Sequence, residues 1–187
     1  MIDARQRFTI FSSFLQSTGK KITISIDTKN NNGVWAKDIS NLWTTTDLEV
    51  SDWDHLYRVL TKQISQEKYA GSGSWNDAGY INTDLSFNEF QAQAALWMTL
   101  KSPIKMNAPV ALIDKTFLLF LQNEEMISVI QDPLKKQAKL IEREEYQAGY
   151  TEVWGGELSN NRFIFVFVNG KSTSTSISVK VEVTSSY

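Results

Sequence analysis

The sequence changes character at Pro133, and this change limits the fold more than any other feature of the chain. Before Pro133, short β-prone runs alternate with segments in which apolar residues recur every three or four positions, as they do in amphipathic helices. After it, β-rich runs follow one another, with turn residues such as Asn169-Gly170 between them. Alternating strands and helices are typical of a parallel α/β sheet, whereas consecutive short strands indicate an antiparallel module. We therefore expect an α/β part over residues 1–134 and a β part over residues 135–187.

Local signals divide each part into elements. Thr18-Gly19 ends an N-terminal helix before the β-prone run 21–26, and Ser51–Asp54 and Ser86–Glu89 have the residues of capping boxes that begin helices. Two more short helices are expected at 114–122 and 123–130. The strands expected in the β part are Leu140-Ile141, Thr151–Trp154, Arg162–Val168 and Ser176–Val183, the last of which alternates apolar and polar residues.

Composition excludes several classes of function. The net charge is −2 and charges of both signs are scattered, so nucleic acid and anionic membranes are disfavoured as partners. No apolar run approaches the roughly 20 residues that cross a bilayer. The chain has no cysteine and a single histidine, His55, so neither a metal site nor a cofactor is implied, and acid/base chemistry falls to carboxylates.

Two carboxylates follow β-prone runs. Asp27 comes directly after residues 22–26, and Asp47 follows the run Trp43–Thr46. A carboxylate at the carboxyl end of a strand in a β/α fold points toward the usual active-site face. Each also fits a structural role, Asp27 as a turn residue before the Asn-rich loop and Asp47 as a loop residue near the next helix. Asp77 occupies a third such position, where a structural role is the more natural interpretation.

Three tryptophans fall in or beside the loops at the ends of these strands: Trp35, Trp43 and Trp75. Aromatic faces in such loops stack on sugar rings, although tryptophan is found more often in a core. The pattern leaves both interpretations open.

A series of short motifs resembles melibiase-type enzymes, the α-galactosidase and α-N-acetylgalactosaminidase glycoside hydrolases. The motifs occur in the family's order and spacing from about residue 5 to 170. They are Trp35-Ala36, Asn41-Leu-Trp43, Asp47, Tyr69-Ala-Gly71, Trp75-Asn-Asp77, Leu96-Trp97, Lys101-Ser-Pro103, Asn123, Gln131-Asp-Pro-Leu134 with Gln137, and Glu152-Val-Trp154 with Leu158.

The resemblance implies a fold and an activity. The fold is a (β/α)8 TIM barrel followed by an antiparallel β-sandwich, of which this chain supplies the C-terminal half of the barrel, from after the fourth strand, and part of the sandwich. The activity is retaining hydrolysis of a carbohydrate with a terminal α-linked galactose or related sugar, by a nucleophile and an acid/base. The resemblance assigns Asp47 as the acid/base and Asp27 as a substrate-binding carboxylate, in place of a glutamate. Family members are commonly secreted or lysosomal, and residues 1–14 lack the features of a signal peptide.

The chain departs from the family pattern at the site itself. The Lys-x-Asp motif of the nucleophile has no counterpart in the sequence, so the chain is interpreted as an inactive and marginally stable fragment of the complete enzyme. Thr44 replaces an arginine and Gly79 replaces a second aspartate of the Trp-Asn-Asp motif. These two losses support an alternative, a catalytically inactive carbohydrate-binding or interaction module of the same family.

Overall fold

The computed structural model describes residues 3–27, 33–46 and 49–181, which form two three-stranded sheets and a set of helices. The helices are α1 (Ala4–Ser17), α2 (Trp53–Gln63), α3 (Phe87–Thr99), α4 (Lys115–Leu121) and α5 (Glu124–Ile130). The strands are β1 (Ser25–Ile26), β2 (Leu42–Thr44), β3 (Trp75–Asp77), β4 (Lys139–Tyr146), β5 (Gly149–Leu158) and β6 (Arg162–Asn169).

Local capping accounts for where the helices begin. Ser86 and Glu89 form the predicted capping box of α3, each side chain bonding the other residue's backbone N–H. The capping box predicted at Ser51 is wrong. Asp52 is the N-cap of α2 instead, because its carboxylate accepts the backbone N–H of His55 at 2.7 Å, and the Ser51 hydroxyl donates to that same carboxylate.

The first sheet is parallel, as the alternation of strands and helices predicted. Its order is β1-β2-β3, with Ile26 opposite Trp43 and Thr44 opposite Asp77. The strands are only two or three residues long, so the β-prone run 21–26 forms ladder bonds only at its end.

The second sheet is antiparallel, in the order β4-β5-β6. A fourth strand was predicted at Ser176–Val183. Within its described residues, 176–181, no strand forms, and its last two residues lie outside the described part of the chain. Alternating side chains give a strand two different faces, but a strand forms only where an edge accepts its backbone hydrogen bonds.

The larger apolar core packs the antiparallel sheet against the helices, and a separate cluster around Ile26 and Trp43 packs the parallel sheet against α1. Trp154 of β5 and Val168 of β6 are buried against α2 and α3, and Tyr150 stacks on Trp53 at 6.3 Å between ring centroids. A buried carboxylate reinforces the contact, since Asp132 accepts the hydroxyl of Ser159 at 2.7 Å. The described residues are therefore a mixed α/β structure with two sheets, whereas the half-barrel and the boundary at residues 134 and 135 stay predictions.

None of the helices in the described ranges is long and apolar enough to cross a bilayer.

Candidate active site

The register of the parallel sheet brings three polar side chains into one row. Thr44 lies opposite Asp77. Ile26 lies opposite Trp43, so the next residue, Asp27, lies beside Thr44. Asp27, Thr44 and Asp77 are therefore neighbours across three strands. At about 4.8 Å between strands, the two aspartates lie roughly 10 Å apart along the backbone.

The row faces away from the helices. Successive residues of a strand point to opposite faces, so Ile26, Trp43 and Asn76 share the other face. Trp43 is buried there with residues of α1, and Asn76 bonds Gln63 of α2. Asp27, Thr44 and Asp77 thus occupy the helix-free face at the carboxyl ends of the strands, where active sites of β/α folds lie.

Asp27 is exposed and is oriented by one neighbour. The hydroxyl of Thr44, which is buried, donates to Asp27 Oδ1 at 2.7 Å. The other carboxylate oxygen has no partner among the described residues. A carboxylate held in this way can accept a hydroxyl group of a sugar.

Asp77 has a different environment. Its side chain is only 2% exposed, and it accepts the backbone N–H of Gly79 at 3.0 Å and the ammonium of Lys105. A buried carboxylate needs such partners, so Asp77 has the structural role that was the preferred interpretation. Sequence reasoning missed Lys105, whose one signal is a charged residue between the apolar residues Ile104 and Met106.

The loop after β3 is fixed by α3. Trp97 Nε1 donates to the carbonyl of Gly79 at 2.9 Å, and Gln93 Nε2 donates to the carbonyl of Tyr80 at 3.0 Å. Gly79 has a φ of +103°, a conformation that a residue with a side chain adopts only at a cost. Tyr80 and the backbone beside Asp77 are therefore rigidly positioned.

A buried amide cluster supports the row from the opposite face. Gln63 Nε2 donates to Thr45 Oγ1 at 3.1 Å, and Asn76 Nδ2 donates to Gln63 Oε1. All three side chains are at least 95% buried. Because a buried polar group without a partner is costly, this cluster ties β2 and β3 to α2.

Asp47, the predicted acid/base, lies outside the described residues. Thr46 is the last described residue before it, and the Thr46 hydroxyl is buried with no partner in the described part of the chain. The structure therefore places Asp27 in contact with Thr44 of β2, the strand that precedes Asp47 in the chain. The roles of the two aspartates stay predictions.

The tryptophans divide between core and surface. Trp43 is fully buried, so its sugar-stacking interpretation is wrong. Trp35 is half-buried and stacks on Phe8 at 6.1 Å, and Trp75 is half-buried at the edge of the sheet.

No group of three or more histidine, aspartate or glutamate side chains in the described ranges could hold a metal ion.

The family model described as Alpha galactosidase A (Melibiase_2) matches residues 2–132. This chain belongs to the melibiase-type α-galactosidase family. Alpha-galactosidase 2 from Arabidopsis thaliana is 30% identical over 163 residues, which cover 84% of this chain and 40% of that protein. The chain thus spans about 40% of the length of such a curated relative.

Solved structures show the same fold. The α-galactosidase from Saccharomyces cerevisiae superposes with a TM-score of 0.85 at 20% identity, over 90% of this chain and 45% of the yeast chain. The yeast enzyme solved with raffinose superposes with a TM-score of 0.81 at 21% identity, with the same coverage. Each superposition covers more of this α-galactosidase-family chain than residues 2–132, which the family model matches. The superpositions therefore also include residues of the antiparallel sheet.

Proposed function

We propose that this chain is part of an α-galactosidase that removes a terminal α-linked galactose with retention of configuration. The observation that carries the proposal is the row Asp27–Thr44–Asp77 at the carboxyl edge of a parallel sheet, in a chain of this family. A glycoside hydrolase built on a β/α barrel places its pair of carboxylates at such an edge. The yeast α-galactosidase solved with raffinose supports a galactoside as the substrate.

Each aspartate has a proposed role. Asp47, three residues beyond Thr44, is the acid/base that protonates the leaving oxygen and then activates water. Asp27 accepts a hydroxyl of the sugar through the oxygen that Thr44 does not occupy. A retaining enzyme also needs a nucleophilic carboxylate about 5–5.5 Å from the acid/base. The sequence contains no Lys-x-Asp motif, so the proposal places the nucleophile on a segment outside residues 1–187.

We also propose that the three parallel strands, with α1 and α2 on one face, belong to half of a (β/α)8 barrel, and that the antiparallel sheet belongs to a β-sandwich. Such a half-barrel pairs along its open edges with the strands that complete it.

The alternative is a carbohydrate-binding or interaction module without catalytic activity. Three observations favour it. Thr44 supplies a neutral hydroxyl where the family pattern has an arginine, and Gly79 supplies no side chain where the pattern has a carboxylate. In addition, Lys105 neutralises the remaining aspartate of that motif. Such a module binds galactose and does not turn over a galactoside.

Hydrolysis of p-nitrophenyl α-D-galactopyranoside by the complete polypeptide encoded by the gene separates the two. The enzyme hypothesis predicts turnover, with α-galactose as the first anomer seen by proton NMR, and a loss of about 100-fold or more in Asp47→Asn. Asp114→Asn is the matched control, because Asp114 caps α4 and asparagine also caps helices. Galactose binding without turnover in the complete polypeptide supports the module, and absence of both contradicts both hypotheses.

A further inference from the structure

Lys105 places a cation at the row of site residues. Its ammonium contacts the carboxylate of Asp77 and lies 4.7 Å from the centroid of the Tyr80 ring. Asp77 belongs to the row with Thr44 and Asp27, so Lys105 reaches the helix-free face at its carboxyl edge. The contact joins residues 28 positions apart in the sequence.

The backbone around Lys105 is held in place. The N–H of Ile81 donates to the carbonyl of Lys105 at 2.7 Å, and the N–H of Asn107 donates to the carbonyl of Ile81 at 3.3 Å. Ile81 and Met106 form a parallel bridge. The segment that carries Lys105 is therefore hydrogen-bonded to the loop after β3, and α3 fixes that loop through Trp97 and Gln93.

The two partners of the ion pair differ in exposure. The side chain of Asp77 is 2% exposed, whereas that of Lys105 is 29% exposed. An ammonium has three N–H donors, and among the described residues Asp77 is the acceptor that Lys105 meets. Asp77 is thus enclosed by its own contacts, while Lys105 retains N–H groups that a ligand can use.

We infer that Lys105 is a specificity-determining residue that donates a hydrogen bond to a hydroxyl of the bound sugar, an inference that rests on the proposed function. Asp27 accepts a hydroxyl at one end of the row and Lys105 donates to another hydroxyl at the other end. The separation of roughly 10 Å along the row is what a pyranose with a hydrogen bond at each end spans. With two carboxylates and one ammonium along this row, a neutral sugar fits better than an acidic one.

Variants of the complete polypeptide test the role of the lysine, with galactose binding followed by isothermal titration calorimetry. Lys105→Met should weaken binding about tenfold, as loss of a hydrogen bond from a charged donor does, and Lys105→Arg should retain most of the affinity. Because Lys105→Met leaves a buried carboxylate unpaired, the double variant Asp77→Asn/Lys105→Met removes both charges. The double variant should remain about tenfold weaker than the wild type. Lys171→Met, which removes a lysine that lies on the Tyr146 ring in the other sheet, is the matched control.

Monodeoxy-galactoses identify the hydroxyl that Lys105 contacts. The monodeoxy-galactose that lacks the contacted hydroxyl should bind the wild type and the Lys105→Met variant with equal affinity, because it makes no hydrogen bond to Lys105 in either protein. Wild-type affinity in the double variant would show that Lys105 only balances the charge of Asp77, and would overturn the inference while leaving the proposed function intact. Absence of galactose binding by the wild type would instead overturn the proposed function, and the inference with it.

Discussion

The hydroxyl of Thr44 donates a 2.7 Å hydrogen bond to Asp27 Oδ1, between two strands of the parallel sheet. Thr44 is buried and Asp27 is exposed, so the buried residue orients the exposed carboxylate. Thr44→Val removes the donor and keeps the branched shape. We expect galactose affinity to fall about fivefold to tenfold, about 1 kcal/mol, because Asp27 loses the hydrogen bond that orients its carboxylate. Unchanged affinity in calorimetric titrations would contradict this role. Thr61→Val, on the exposed surface of α2, should bind as the wild type does.

The amide cluster behind the row provides a test of the scaffold. Gln63→Met keeps the length of the side chain but removes the partner of Asn76 Nδ2 and one partner of Thr45 Oγ1. Asn76 Nδ2 then lacks a partner, and Thr45 Oγ1 keeps only its 3.5 Å hydrogen bond to Asn76 Oδ1. We expect a loss of about 1–3 kcal/mol in the free energy of unfolding, measured by urea denaturation. Gln6→Met, on the exposed surface of α1, should have little effect. A loss of the same size in both variants would rule out the cluster as the cause.

The turn between β4 and β5 requires a glycine at position 149. Gly149 has a φ of +127°, and a Cβ there would lie 2.4 Å from the carbonyl oxygen of Gly170. Gly149→Ala should therefore destabilise the protein by at least about 2 kcal/mol, through backbone strain and a clash that only the backbone can relieve. Gly71→Ala is the control, because its φ is ordinary and a Cβ there would meet no atom within 4 Å. Equal thermal midpoints for the two variants would disprove the prediction.

Asp132 makes the stability of the protein sensitive to acid. Burial alone would raise the pKa of Asp132, but hydrogen bonds from the hydroxyl and N–H of Ser159 and from the N–H of Leu134, with the charge of Lys101, hold this pKa below its usual value. A carboxyl whose pKa is lower in the folded state stabilises the fold at pH values above its unfolded pKa of about 4. This contribution is lost as the pH falls below about 4, through the folded-state pKa.

Asp132→Asn tests this contribution. The asparagine presents an N–H₂ group where the carboxylate accepted hydrogen bonds, so the variant should lose about 2–3 kcal/mol at neutral pH. Its unfolding free energy should also depend less on pH below 4 than that of the wild type. Asp114→Asn, which keeps its helix cap, is the reference for an exposed aspartate. Parallel pH profiles for Asp132→Asn and the wild type would be the opposing result.

Local sequence signals were sufficient for the helices. The capping box of Ser86 and Glu89 and the caps at Asp114 and Asn123 depend on residues within one helical turn, so the sequence alone indicates them. At Ser51 the same signal failed by one residue, because the carboxylate of Asp52 accepts the backbone N–H of His55. The ordered family motifs were equally visible, since residue identity and spacing carry them.

Strand partners depend on distant residues. The β-prone run 21–26 pairs at only two residues, and the alternating run 176–181 forms no strand, because neither pattern specifies an accepting edge. The burial of Trp43 has a similar origin, since the packing of α1 against the sheet covers it. A pattern predicts which face of a strand is apolar, and the packing decides what covers it.

The sequence by itself therefore determined the family, the helices and the candidate carboxylates Asp27 and Asp47, because motifs and caps depend on neighbouring residues. Only the tertiary structure decided that Asp27, Thr44 and Asp77 form one row, since strand register sets that relationship. It also decided that Lys105 pairs with Asp77, because the bridge between Ile81 and Met106 brings together two segments that are far apart in the chain.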